Sequence, residues 1–342
     1  MSDFYNTAAG ISDKMLIIKS TEDNIMRMLD KKAFQEIDTW INQNARPLEL
    51  AVWNYDWKNG SKEAVAQALA YYQNPDGGFM GILEPDSWSP ESSPYATLIA
   101  LGYLRKTEYV EEVGTSHPMI QGIFKFLESG QHSDENGWHF GIPSNDNYAH
   151  APWWTYDEEL NRVQDMGITA GLCSFILQFA EPESKLYQKA SDYTQAMFEK
   201  VAAVEDFGEM GAGGLYGLLG ILFQCGLINK YPCEGLKERL EATINKTIER
   251  DSEQWKYYKP RPSQFITEPS NPLYEENKEI VELELEYVLD TRNPKAVWNI
   301  TWSWFELQEQ YAREFAISEN WWMAIKAIEK MEFLRNFGRV EM

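Results

Sequence analysis

The chain has 342 residues, 44% of them hydrophobic, and a formal charge of −22. That length and apolar share suffice for one large domain or two ordinary ones. The negative balance excludes nucleic acid and anionic membrane surfaces as expected partners, since both need a positive protein face. Thirteen Trp are a heavy aromatic load, of the kind that fills cores or lines apolar and sugar-binding clefts.

The first residues, M-S-D-F-Y-N-T-A-A-G, have neither a basic start nor an apolar run, so no secretory signal is expected and a cytoplasmic protein is. Residues 11–29 and 31–42 read as amphipathic helices, with Met15, Ile18, Ile25, Met28 and Leu29 at helical spacing. Pro47 interrupts, and W-N-Y-D-W at 53–57 reads as a loop or short turn. A helix over 61–73 ends at N-P-D-G-G, where the proline lacks a donor and the glycines favour a turn.

From there two kinds of helix alternate. Residues 92–104, 166–180 and 211–228 carry no charge, whereas 117–127, 183–201 and 234–250 are amphipathic. A helix apolar all round is buried all round, and one with a single apolar stripe lies outside. The glycines of 211–228 favour an inner helix packed closely on its neighbours over a membrane span. Residues 259–272, with Pro260, Pro262, Pro269 and Pro272, form a long irregular connection, either functional or a surface crossover. Helices resume at 274–289, 304–317 and 319–337. No strand alternation or βαβ unit is visible. The expected fold is all-α: one domain spanning 1–342, built as a barrel of about six helical hairpins, each with an inner and an outer helix.

An internal repeat supports this. Ala68-Leu69, Gln73 and Gly77-Gly78-Phe79 make one copy; Phe126-Leu127, Gln131 and Gly137-Trp138 a second; Tyr287-Val288, Arg292 and Trp298 a third. The pattern resembles the QW repeat of squalene-hopene cyclases, whose wider superfamily is the (α/α)6 toroid of terpenoid cyclases and protein prenyltransferase β subunits. The resemblance implies that fold, and that Gln73 and Gln131 support it without touching substrate. The copies depart from the repeat: Phe79 replaces Trp, the second lacks a residue between Gly and Trp, and the third has Arg292 for Gln and no Gly. The family's D-x-D-D and D-D-x-x-D motifs are absent, and Cys173, Cys225 and Cys233 lack the neighbours of its zinc site. These Cys have no metal-like spacing, so no metal is expected; Cys173 and Cys225 lie in apolar runs and read as buried thiols. No motif names a cofactor.

Three polar, aromatic stretches lead into apolar helices: residues 76–91, 145–165 and 298–304. In a hairpin barrel the loops before inner helices share one rim, so the first two should face one cavity. Candidate acid–base residues are Glu84, Asp86, His150 and Asp157, and candidate walls are Trp88, Tyr148, Trp153, Trp154, Trp302 and Trp304. Paired carboxylates beside Trp suit glycoside chemistry, whereas an aromatic lining suits an isoprenoid and its cations. The competing reading is that the carboxylates cap helices or stay solvated and the Trp residues plug the barrel. The leading expectation is a toroid that binds a mostly apolar small molecule. A carbohydrate-active hydrolase or lyase comes second and a non-catalytic scaffold third.

Overall fold

The computed structural model describes residues 26–341, leaving out 202, 205 and 206. Most of the helix expected over 11–29 lies outside the described residues; residues 26–29 are not helical. The helices are α1 (Lys31–Asn44), α2 (Pro47–Trp57), α3 (Lys62–Ala70), α4 (Pro94–Lys106), α5 (Tyr109–Val113), α6 (Pro118–Ser129) and α7 (Glu158–Phe179). They continue with α8 (Lys185–Val201), α9 (Gly208–Gln224), α10 (Leu236–Thr247), α11 (Tyr274–Asp290), α12 (Leu307–Gln310) and α13 (Ala312–Asn336). Among the described residues the sheet is minimal: β1 (Phe79–Met80) pairs antiparallel with β2 (Ser92–Ser93). The chain is thus all-α.

Side-chain oxygens set several helix starts. Asp30, Ser61, Ser93 and Asp157 each accept the backbone N–H three residues on, at 2.7, 3.2, 3.0 and 2.9 Å. Pro47 opens a helix where the sequence suggested an interruption. At the first helical position a proline loses only a donor that has no intrahelical partner, so α2 runs through the 53–57 stretch that had read as a loop. The two helices expected over 304–317 and 319–337 are instead the single turn of α12 and a 25-residue α13. Nothing in I-S-E at 317–319 breaks a helix, and Ser318 is buried with its hydroxyl donating to Pro85 O at 2.6 Å.

The uncharged runs pack in series, α4 on α7 and α7 on α9. The α7–α9 contact is close because both faces are glycine: a Cβ on Gly214 would lie 2.8 Å from the Gly167 carbonyl oxygen. Yet α9 is not enclosed all round. Leu215, Leu218 and Leu222 are buried, while Phe223 is 75% exposed and Gly217 and Gly220 have open space beside them. Cys173 is buried as expected, but Cys225 is exposed, because it caps the surface end of α9. At the other end of the chain α13 packs on α1, α2 and α11. Leu29 N–H donates to Arg339 O at 2.8 Å and Glu341 N–H to Leu29 O at 2.9 Å, joining the first and last described segments.

The repeat copies differ in what they do. The Gln73 amide donates to Gly77 O and to Met119 O in the first turn of α6, both at 3.0 Å. Gly77, at φ +99°, sits so close to α6 that a Cβ would fall 2.0 Å from Gly122 O. Arg292 does the same work for α1, donating to Ala33 O at 3.2 Å and pairing with Glu36 at 3.1 Å. Arg250 reaches Asn277 near the start of α11 at 2.8 Å, a related link that the sequence pattern did not reveal. Gln131 is exposed, and its amide meets only the His132 ring, at 3.1 Å. The supporting role expected of Gln131 therefore falls to others: Trp138 is fully buried, and Lys189 of α8 donates to Ser133 at 2.9 Å. Gln73→Ala should cost roughly 1–2 kcal/mol, the value of two net hydrogen bonds. Gln131→Ala should stay within about 0.5 kcal/mol of wild type, as for an ordinary surface change. Urea denaturation of both variants checks this, and equal losses would contradict it.

Candidate functional site

The turn before β1 is held by its own side chains. Asp76 accepts Gly78 N–H at 2.9 Å and the Ser92 hydroxyl at 2.8 Å, and Asn74 donates to Pro90 O at 2.9 Å. The loop between β1 and β2 is then aimed at residues 145–155. Ala151 N–H donates to Asp86 O at 2.8 Å and Trp88 N–H to Ala149 O at 2.9 Å, so the two loops run side by side. The third stretch closes on them: the indole N–H groups of Trp304 and Trp302 donate to the Asp86 carboxylate at 2.7 and 2.9 Å. Glu84 accepts Asp86 N–H at 2.7 Å and the Trp154 indole at 3.1 Å.

Eight sequence-derived candidates thus meet in one cluster: Glu84, Asp86, Trp88, His150, Trp153, Trp154, Trp302 and Trp304. Trp154 stacks on Phe140 at 4.6 Å, and Trp88 stacks on Trp321 at 5.5 Å and donates to Ser318 at 3.0 Å. Trp153 packs against the same group, half-buried. Tyr148 is half-buried and contributes its carbonyl: His150 Nδ1–H donates to it at 2.7 Å, leaving Nε2 to accept from Thr155 Oγ1 at 3.0 Å. Both ring nitrogens are therefore engaged in shaping the loop. Asp157 stands apart, exposed, as the N-cap of α7.

The carboxylates do not face open space. Glu84 and Asp86 are 4% and 1% exposed. Burial, and then the Asp86 charge, push the Glu84 carboxyl well above the usual carboxylate range. Burial pushes Asp86 up from 3.8 to about 6, against the indoles of Trp304 and Trp302 and the Lys326 charge, which favour the ionised form. In this geometry the Asp86 carboxylate fixes two tryptophans.

One of those tryptophans faces a void. A cavity of about 1020 Å³ lies between the N-terminal turn of α9, the end of α10, residues 258–267, residues 299–302 and one face of α13. The prolines at 260 and 262 keep helix out of this space, and Gly213 and Gly214 present it with bare backbone. Phe207, Tyr258, Phe265, Trp302 and Phe333 supply aromatic wall. Among its described lining residues are five cations, Lys246, Lys259, Arg261, Lys326 and Lys330, against three carboxylates, Glu284, Glu329 and Glu332.

Some of these charges are already used. Lys326 pairs with Glu329 at 2.8 Å, Glu332 with Lys106 at 2.7 Å, and Glu284 accepts both Ser263 N–H and its hydroxyl at 2.7 Å. Arg261 donates to Trp255 O and lies 5.1 Å from the Tyr287 ring. Sequence reasoning flagged the proline-rich connection and Trp302 but missed Arg261, Lys326 and Lys330. The signal available was the i, i+4 placement of Lys326 and Lys330, which puts both on one face of α13. Among the described residues no group of His, Cys, Asp and Glu could hold a metal ion, and no helix is long and apolar enough to cross a membrane. No family model, curated protein or solved structure matches the chain.

Proposed function

We propose that the chain is an (α/α)6 toroid that binds, beside its axis, a small molecule with an apolar body and an anionic group. In this reading α1, α3, α6, α8, α10 and α11 form the outer ring, and α2, α4, α7, α9 and α13 the inner one. The proline-rich connection takes the place of the fifth inner helix and leaves the cavity. The hand-over of side chains from one outer helix to the next supports it: Gln73 reaches α6, Arg250 reaches α11, and Arg292 returns to α1. So does the resemblance of the Gln73 and Gln131 stretches to terpenoid cyclase repeats.

The observation that carries the ligand class is the cavity lining, in which cations outnumber carboxylates in a chain of charge −22. Aromatic rings suit an apolar body, and fixed cations in a partly enclosed site suit an anion. The carbohydrate-active reading has less support, because Glu84 and Asp86 lie behind Trp302 and accept indole N–H groups. Calorimetric titration tests the choice. Decyl phosphate should bind one to one and about tenfold tighter than decanol, a difference of about 1.4 kcal/mol, and added salt should shrink that difference. Equal affinity for decanol would remove the anionic group from the proposal. Heat from maltohexaose with none from decyl phosphate would favour the carbohydrate reading.

A further inference from the structure

Lys330 differs from the other cavity cations. It projects from α13 one turn beyond Lys326, and its Nζ lies 5.5 Å from the centre of the Trp298 ring. Lys326, by contrast, is paired with Glu329 at 2.8 Å; among the described residues Lys330 has no such carboxylate partner. The Trp298 face favours the ammonium form, but an amine open to a cavity and without a paired carboxylate is the arrangement that leaves a lysine free to react.

We propose that Lys330 is a nucleophilic amine that forms an imine with the carbonyl group of an anionic oxo compound bound in this cavity. The proposal rests on reading the cavity as an anion site. The Nζ lone pair attacks the carbonyl carbon; a C–N bond forms and the carbonyl π bond breaks. The oxygen takes a proton, giving a carbinolamine, and then leaves as water with a second proton while nitrogen gives up its own. One amine and one carbonyl thus become one imine and one water, with no change of oxidation state.

The surroundings suit each step. Burial, then Arg261 from the proline-rich connection and Lys326 from the same helix, lower the Lys330 pKa from 10.5 to about 7, against Glu284 of α11 and Glu329 of α13. Near neutral pH about half of this amine is then unprotonated, about a thousandfold more than for an ordinary lysine. Burial raises the Glu284 carboxyl on the same wall, against its two bonds from Ser263 and the charges of Arg261 and Lys330; the departing oxygen takes its protons from solvent in the open cavity. Arg261 and Lys326 remain cationic and suit the ligand's carboxylate or phosphate.

Borohydride trapping on the full chain tests this. With phenylpyruvate and sodium cyanoborohydride at pH 7, peptide mapping should find one main reduced adduct, on Lys330. Its formation should have a midpoint near pH 7, while exposed lysines react only at higher pH. Lys330→Met should reduce labelling to the level of the exposed lysines. The pH profile is read on wild-type protein, so it does not depend on the variant folding. Benzaldehyde is the uncharged comparison: labelling of Lys330 by benzaldehyde but not by phenylpyruvate would keep the nucleophile and remove the anion site. Adducts spread over exposed lysines and unchanged in Lys330→Met would overturn the proposal, even if decyl phosphate binds.

Discussion

Asp86→Ala should lower folding stability by about 2–4 kcal/mol, because it leaves a buried and a half-buried indole donor unpartnered, the buried one at roughly 1–3 kcal/mol and the half-buried one at less. The donors are Trp304 and Trp302, at 2.7 and 2.9 Å from the carboxylate. Asp86 also accepts Ala151 N–H through its carbonyl; that bond survives the substitution, so the loop should stay in place while the tryptophans loosen. Trp302 is part of the cavity wall, so ligand binding should weaken together with stability. Asp86→Asn keeps one acceptor oxygen and should fall between wild type and Asp86→Ala.

The pH dependence separates charge from packing. Asp86 has its pKa raised from 3.8 to about 6 in the folded chain, so between those values the folded state binds more protons than the unfolded one. Its contribution is complete below about pH 4 and is lost as pH rises through about 6, by about 3 kcal/mol at roughly 1.4 kcal/mol per unit. Asp165 is shifted in the same direction, to about 6, mainly by burial, so the wild-type curve alone cannot assign the effect. The difference between wild type and Asp86→Asn removes the Asp165 contribution and leaves that of Asp86 together with the part of the Glu84 shift caused by the Asp86 charge. Relative to Asp86→Asn, wild type should be more stable at pH 4 than at pH 7; a flat difference in urea denaturation would show that the Asp86 carboxyl titrates normally.

Arg46→Met should cost about 3–5 kcal/mol, the penalty for stranding the partner of a buried ion pair. Arg46 and Glu49 are 6% and 1% exposed and form a two-pronged bond at 2.9 and 2.6 Å. The same guanidinium donates to Ile82 O and Leu83 O, both at 3.0 Å, and lies 5.0 Å from the Trp321 ring, on which Trp88 stacks. It therefore ties α2 to the turn that leads directly into Glu84 and Asp86. The double variant Arg46→Met with Glu49→Leu removes both charges, and most of the loss should return. If the double variant is as unstable as Arg46→Met, the two carbonyl bonds, rather than the stranded carboxylate, account for the loss.

Much of the helical layout was legible because charge is a strong marker of side. The uncharged run at 92–104 covers β2 and most of α4, that at 166–180 covers the C-terminal part of α7, and the amphipathic 183–201 contains α8. The misreadings have local causes. A proline such as Pro47 stops a helix or starts one according to its position, which composition does not reveal. The uncharged run at 211–228 reads as enclosed, but glycines add no charge whether they face a neighbour or open space, as Gly214 and Gly217 do.

That residues 76–91 and 145–157 come together was legible from their shared position before apolar helices, although Glu84 and Asp86 are buried there. What Asp86 does there was not. A carboxylate near tryptophans reads as an acid beside a stacking wall, and only coordinates show the indole N–H groups turned toward it. Lys330 was hidden for a different reason: helical periodicity says which residues share a face, and not that the face borders a void.

The most direct test of ligand binding beside α13 is anomalous diffraction from crystals grown with 12-bromododecyl phosphate. The expected result is a bromine peak inside the cavity bounded by α9, α13 and residues 258–267, with the phosphate toward Arg261, Lys326 or Lys330. A bromine peak confined to the protein surface, with the cavity holding only water, would contradict it.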